Sequence, residues 1–154
     1  MLTPDMKRIV EEQPLGLVAT TAADGAPNVS PKGSFIVLDD TTIAFGEIRS
    51  PGTLRNLSTN PRVEVVFIDP FVRKGYRVAG LATVTNRGDR DFDRLIGHFR
   101  SPLVPRMRAI VTIAVIKALP LISPVYDDGR AEDLVRRGWT GRFRKLQPNQ
   151  RFEE

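Results

Sequence analysis

The stretch LGLVATTAADGAPNVSPKGSFIVLDDTTIAFG, residues 15–46, decides the fold class. Leu15 to Thr21 is a run of apolar and β-branched residues, and Asn28 to Leu38 repeats the pattern. The turn dipeptide Asp24-Gly25 lies between them, so the two runs predict a β-hairpin with its loop over Ala22 to Ala26. Asp39-Asp40 supplies a further turn and Thr41 to Gly46 a third strand. A parallel crossover needs a dozen or more residues, which connections this short do not provide. This part of the chain therefore predicts an antiparallel meander rather than a βαβ unit.

Outward from it, the pattern persists. Upstream, Thr3-Pro4-Asp5 starts a helix, with Thr3 as N-cap and Met6, Ile9 and Val10 as its apolar stripe, and Gln13-Pro14 ends it. Downstream, Ser50-Pro51-Gly52 opens a helix capped by Ser50, and Asn60-Pro61 closes it after Thr59. Arg62 to Ile68 and Tyr76 to Thr85 predict strands four and five, separated by the breakers Asp69-Pro70 and Lys74-Gly75. Phe92, Leu95, Ile96 and Phe99 recur at helical spacing, which predicts a short helix with a core-facing stripe. Met107 to Leu119 is the most apolar stretch, with Ile110, Thr112, Ala114 and Ile116 on one face and Val111, Ile113, Val115 and Lys117 on the other. A strand apolar on both faces packs against core on one and against a helix or another subunit on the other, which predicts strand six near a dimer interface. Arg130 to Arg137 predicts a short amphipathic helix and Gln147 to Glu154 a frayed tail.

Six strands, mostly neighbours in sequence, predict a mainly β domain: a closed or partly closed antiparallel barrel with short helices. A β-sandwich with helices satisfies the same periodicity. The expected organisation is one domain over residues 1–154, with an N-terminal helix in 1–14, the barrel in 15–122, and a C-terminal helix and tail in 123–154. No repeat or linker interrupts it.

Composition narrows the chemistry. With no cysteine there is no disulfide, thiolate nucleophile or cysteine metal site, and a reducing cytoplasm is the expected location. One histidine, His98, removes every two-histidine metal motif and leaves a single candidate for a hydrolytic triad; with no Asp or Ser at a recognised spacing it reads as a surface or partly packed residue. Asp127-Asp128 lacks a third ligand at a known spacing and reads as a turn. No apolar run approaches the roughly 20 residues of a membrane span, so no membrane partner is expected. The formal charge of +5 favours anionic partners, and between Arg94 and Lys117 there are five cations and no acid. Trp139, near Arg142 and Arg144, reads first as an aromatic anchor for the last segment, with an anion clamp as the alternative.

One segment concentrates the parts of a phosphate site. Phe45-Gly46-Glu47-Ile48-Arg49 ends the third strand and runs directly into the helix opened by Ser50-Pro51-Gly52. A helix N-terminus offers unpaired N–H groups, Ser50 and Thr53 offer hydroxyls, and Arg49, Arg55 and, from the second strand, Lys32 offer charge.

Three blocks in order resemble a known family. Leu17 to Thr21 followed by Asp24 to Pro31, Leu54-Arg55-Asn56-Leu57 followed by Asn60-Pro61-Arg62-Val63, and Tyr76 to Ala82 are similar to motifs of the flavin-binding split-barrel proteins related to pyridoxamine 5'-phosphate oxidase. The resemblance implies a homodimer of six-stranded antiparallel split β-barrels, each binding FMN at the subunit interface and acting as a flavin-dependent oxidoreductase. It implies that Lys32, Ser50, Thr53, Arg55 and Asn56 contact the phosphate, and that Phe45, Gly46, Glu47 and Ile48 contact the isoalloxazine through backbone groups. Many members carry an Arg-Lys pair where this chain has Gly52-Thr53, so the cationic clamp is weaker here. Related barrels take the deazaflavin F420 or haem, which are the alternative cofactors. No catalytic side chain is assigned, since a bound flavin supplies the redox chemistry. A cofactor-free basic barrel binding nucleic acid is the other class; an aromatic content of 7% gives few stacking platforms, which disfavours it.

Overall fold

The computed structural model describes residues 1–149. Its elements run α1 (Pro4–Glu12), β1 (Gly16–Thr21), β2 (Pro27–Lys32), β3 (Ile36–Val37), β4 (Thr42–Glu47), α2 (Pro51–Thr59), β5 (Arg62–Asp69), β6 (Lys74–Asn86), α3 (Phe92–Ile96), β7 (Ala109–Ile122) and α4 (Glu132–Leu146). Short 3₁₀ turns at Val104–Arg106 and Pro124–Tyr126 flank β7. No helix among the described residues is long and apolar enough to cross a membrane. Of the expected tail, residues from 150 onward lie outside the described residues.

All seven strands form one antiparallel sheet in the order β2-β1-β5-β6-β7-β4-β3. The expected second strand, Asn28 to Leu38, breaks at Gly33-Ser34-Phe35 into β2 and β3, so the count is seven rather than six. The two pieces pair with different neighbours, β2 with β1 and β3 with β4, and stand at opposite edges of the sheet. Because one three-residue bend joins the two edges, the sheet wraps on itself as a barrel. The Ser34 hydroxyl stitches the bend to β4, accepting from the Gly46 N–H and donating to the Gly46 carbonyl, each at 3.0 Å. The meander expected over the first fifty residues is thus two hairpins, and the outer neighbour of β4 is β7.

Two apolar clusters hold the structure. Inside the barrel, Phe35 packs on Phe45 and Phe67 with ring centroids 5.1 and 4.8 Å apart, surrounded by Val18, Ile43, Val65, Val111 and Ile113. Outside it, Phe92, Leu95 and Phe99 cover Ala44, Met107 and Ile110. The first half of β7 is therefore buried on both faces by its own chain. Ile113 belongs to the barrel core and Ile110 to the α3 cluster, so of the two expected covers, a helix or another subunit, a helix of the same chain covers this part of the strand. The second half differs: Ala114, Ile116, Leu119 and Ile122 are exposed. Between the halves, β7 carries a bulge that leaves Ile116 unpaired between Val115, opposite Gly80, and Lys117, opposite Ala79; a Cβ on Gly80 would lie 2.4 Å from the Ala114 carbonyl oxygen.

Helices close the barrel. α1 is fixed by a capping box, Thr3 to Met6, and by the Tyr76 hydroxyl, which donates to Asp5 at 2.5 Å. That hydrogen bond, followed by the one from Arg8, holds the Asp5 carboxyl below the ordinary carboxylate range, and the same bond to Asp5 raises the Tyr76 phenol. α4 extends well beyond the expected Arg137, through Gly138 and Gly141 to Leu146. Packing overrides two poor helix formers here: Val135, Trp139 and Phe143 recur every four residues, Val135 is buried, and Phe143 meets Phe71 at 5.2 Å. Two ion pairs fasten the start of α4 to the β5–β6 turn, Lys74–Glu132 at 2.9 Å and Arg136–Asp69 at 3.1 Å.

Candidate functional site

The β4–α2 corner is where the sequence concentrates phosphate-binding groups, and the structure divides those groups into two sets. Lys32, Phe45, Gly46, Glu47, Thr53 and Asn56 are buried; Arg49 and Arg55 are exposed, with Ile48 and Ser50 between.

The buried set is structural within the protomer. Lys32 donates to Glu47 Oε2 at 2.9 Å, with 5% and 2% of the two side chains exposed, and the ammonium lies 5.7 Å from the Phe45 ring centre. Glu47 Oε1 accepts from the Ser50 backbone N–H, so one carboxylate neutralises Lys32 and ties down the residue that precedes α2. Lys32 is not a free phosphate ligand, which corrects the expectation: burial of both ions makes each the other's required partner. Ser50 holds the N-cap position, yet its side chain makes no cap hydrogen bond. Gly46 has both backbone groups engaged by Ser34, and a Cβ there would lie 2.2 Å from Met107 Sδ. The Phe45 ring fills the core, and the Glu47 carbonyl accepts from Arg108 N–H at 2.7 Å. Both Gly46 backbone groups and the Glu47 carbonyl are thus engaged within the chain. The Asn56 side chain donates to Thr20 Oγ1 at 2.9 Å and locks α2 to β1.

Of the exposed pair, Arg55 lines a groove. A cavity of about 530 Å³ lies between the β1–β2 loop, with Asp24 and Asn28, and α2, with Gly52, Arg55 and Asn56. A Cβ on Gly52 would meet nothing within 4 Å, so the first turn of α2 is open to a ligand. Arg49 and Arg55 form no ion pair among the described residues. Arg108 is brought beside this corner by its bond to Glu47 and by its own carbonyl, which accepts from Arg87 N–H at 2.7 Å. It belongs to the acid-free basic strip, but only strand register reveals that it neighbours Glu47. A second hollow, about 460 Å³ on the outer sheet face, shares Pro27 with the groove and is lined by Thr21, Ala79, Ile116 and Lys117. Both volumes fall in the ~300–1,000 Å³ range of small-molecule sites. Among the described residues, no group of three or more His, Asp or Glu side chains is placed to hold a metal.

The family model for pyridoxamine 5'-phosphate oxidase matches residues 2–119, which is most of the chain. The chain belongs to this family. Solved structures agree. HupZ from Group A Streptococcus is 29% identical, with a TM-score of 0.66 over 80% of this chain and 96% of that one. A solved F420 reductase is 25% identical, with a TM-score of 0.55 over 76% and 98% of the two chains. An FMN-binding protein from Syntrophomonas wolfei is 14% identical, with a TM-score of 0.65 over 77% and 85%, a likeness of fold alone. A search of curated proteins finds no match. As a member of the pyridoxamine 5'-phosphate oxidase family the chain has a split-barrel fold, and the matched region ends before α4.

The groove also fits the group that the family implies. At the groove, the open first turn of α2 and the unpaired guanidinium of Arg55 are donors suited to a phosphate monoester, and Arg49 and the uncapped Ser50 immediately precede the helix. Lys32, paired with Glu47, lies outside that set.

Proposed function

We propose that this protein binds FMN and acts as a flavin-dependent oxidoreductase on a small-molecule substrate in the cytoplasm. The observation that carries the reading is the coincidence of family membership with an open groove at the first turn of α2 that Arg55 lines. Arg55 and Arg49 would hold the phosphate, helped by the Ser50 hydroxyl and the first N–H groups of α2. A bound flavin accepts and releases hydride or electrons. The chain's own residues bind it, orient it and keep water from its ring.

The ring needs apolar cover, and a second copy of the chain is its natural source. Leu17, Val29, Leu81, Ile116 and Leu119 are exposed on β1, β2, β6 and β7, and the strand register aligns Leu17 with Val66 and Leu81 with Ala114 on one outer face. A large exposed apolar face marks an interaction surface. Homodimerisation through it would complete the hollow that adjoins the phosphate groove. Ile116 is 67% exposed, so Ile116→Asp should leave the fold intact. Light scattering should report twice the 17.2 kDa chain mass for the natural protein and a single chain mass for the variant, with flavin retention lost in step. A natural protein that runs as a monomer, or a monomeric variant that keeps its flavin, would remove the partner from the site.

A further inference from the structure

The β5–β6 turn and the middle of α4 hold a second cluster of arginines, apart from the β4–α2 corner, and α4 lies beyond the matched residues 2–119. Arg73 sits in this turn at φ +57°, the only non-glycine residue with positive φ among those described. That region disfavours any residue with a Cβ, so the surroundings must impose it. They do so with several bonds. Asp69 Oδ1 accepts from the N–H groups of Phe71 and Val72 at 2.8 and 3.3 Å, and the Asp69 carbonyl accepts from Arg73 N–H at 2.8 Å. Ser123 N–H donates to the Arg73 carbonyl at 3.1 Å, and the Tyr126 hydroxyl donates to that of Val72 at 2.6 Å.

The turn aims one side chain. The Arg73 guanidinium carbon lies 3.4 Å from the centre of the Trp139 ring, and that of Arg142 lies 5.6 Å from the same centre. The adjacent cations have acid partners, Lys74 with Glu132 and Arg136 with Asp69. Arg73 and Arg142 have none among the described residues, and Arg73 Nε is buried with no hydrogen-bond partner. A guanidinium stacked on an indole keeps its N–H edge in the plane, where it matches a carboxylate or phosphate bidentately.

We propose that Arg73 and Arg142, held against Trp139, form a binding site for the oxyanion of a small phosphate- or carboxylate-bearing ligand. The site does not depend on the flavin reading, since it shares no residue with the β4–α2 corner.

Trp139 is the only tryptophan of the chain, so its fluorescence reports this site directly. Full-length protein is titrated with inorganic phosphate and, separately, with acetate, each against chloride at matched ionic strength. Saturable change with phosphate, acetate or both, and none with chloride, is the expected result, and the stronger of the two names the ligand class. Arg73→Gln should weaken the response at least ~10-fold, as loss of a charge-assisted contact does. Arg73→Gly suits the positive φ and should stay folded by circular dichroism while losing the response. A response equal to that of chloride, or one preserved in Arg73→Gly, overturns the proposal.

Discussion

Replacing Lys32 with Met should destabilise the protein by about 3–5 kcal/mol, the usual cost of leaving one member of a buried ion pair without its partner. Lys32 and Glu47 are nearly inaccessible, and Glu47 also holds the Ser50 N–H at the entrance to α2. Stranding that carboxylate strains the seam where β2 approaches β4 as well as the helix start. For a chain of this length, a loss of that size lowers the melting temperature by roughly 6–20 °C. The double variant Lys32→Met, Glu47→Leu removes both charges and should recover much of the loss, because neither ion then needs desolvating. If Lys32→Met melts like the natural protein and loses FMN affinity instead, Lys32 serves the phosphate and the ion-pair assignment is wrong.

Arg55→Ala should behave in the opposite way. Arg55 is exposed on α2 and unpaired among the described residues, so its removal should leave stability within about 0.5 kcal/mol. A guanidinium contact to phosphate contributes about 1.5–3 kcal/mol, so the FMN dissociation constant should rise roughly 10- to 100-fold. Fluorescence quenching of FMN on titration with each protein measures it. Equal constants would take Arg55 out of the site and leave Arg49 and the α2 N-terminus to carry the phosphate. Together the two variants separate a cation that holds the fold from one that holds a ligand.

That separation was invisible in the sequence. Lys32, Arg49 and Arg55 all carry a positive charge, and side-chain type says nothing of which finds an acid first. Strand register decides it: the ends of β2 and β4 meet at the barrel seam, which places Lys32 against Glu47. The local elements were legible, because Thr3-Pro4, Asp24-Gly25, Ser50-Pro51 and Asn60-Pro61 are punctuation with steric causes. The break at Gly33-Ser34-Phe35 was not, since Asn28 to Leu38 alternates well enough to pass for one strand, and what bends it is a tertiary bond from Ser34 to Gly46. The same limit explains β7. Its apolar faces correctly demanded cover, but that α3 supplies it for Ile110 and the barrel for Ile113 follows only from the fold. In α4, Gly138 and Gly141 masked a helix that the spacing of Val135, Trp139 and Phe143 sustains.

The visible absorbance spectrum of the purified protein, recorded after incubation with FMN, the deazaflavin F420 or haem and removal of unbound ligand, tests the functional account most directly. FMN should be retained at close to one per chain, with the other two lost or held more weakly. Retention of F420 or haem in place of FMN, or of no chromophore at all, would contradict the assignment of the groove at Arg55 to a flavin phosphate.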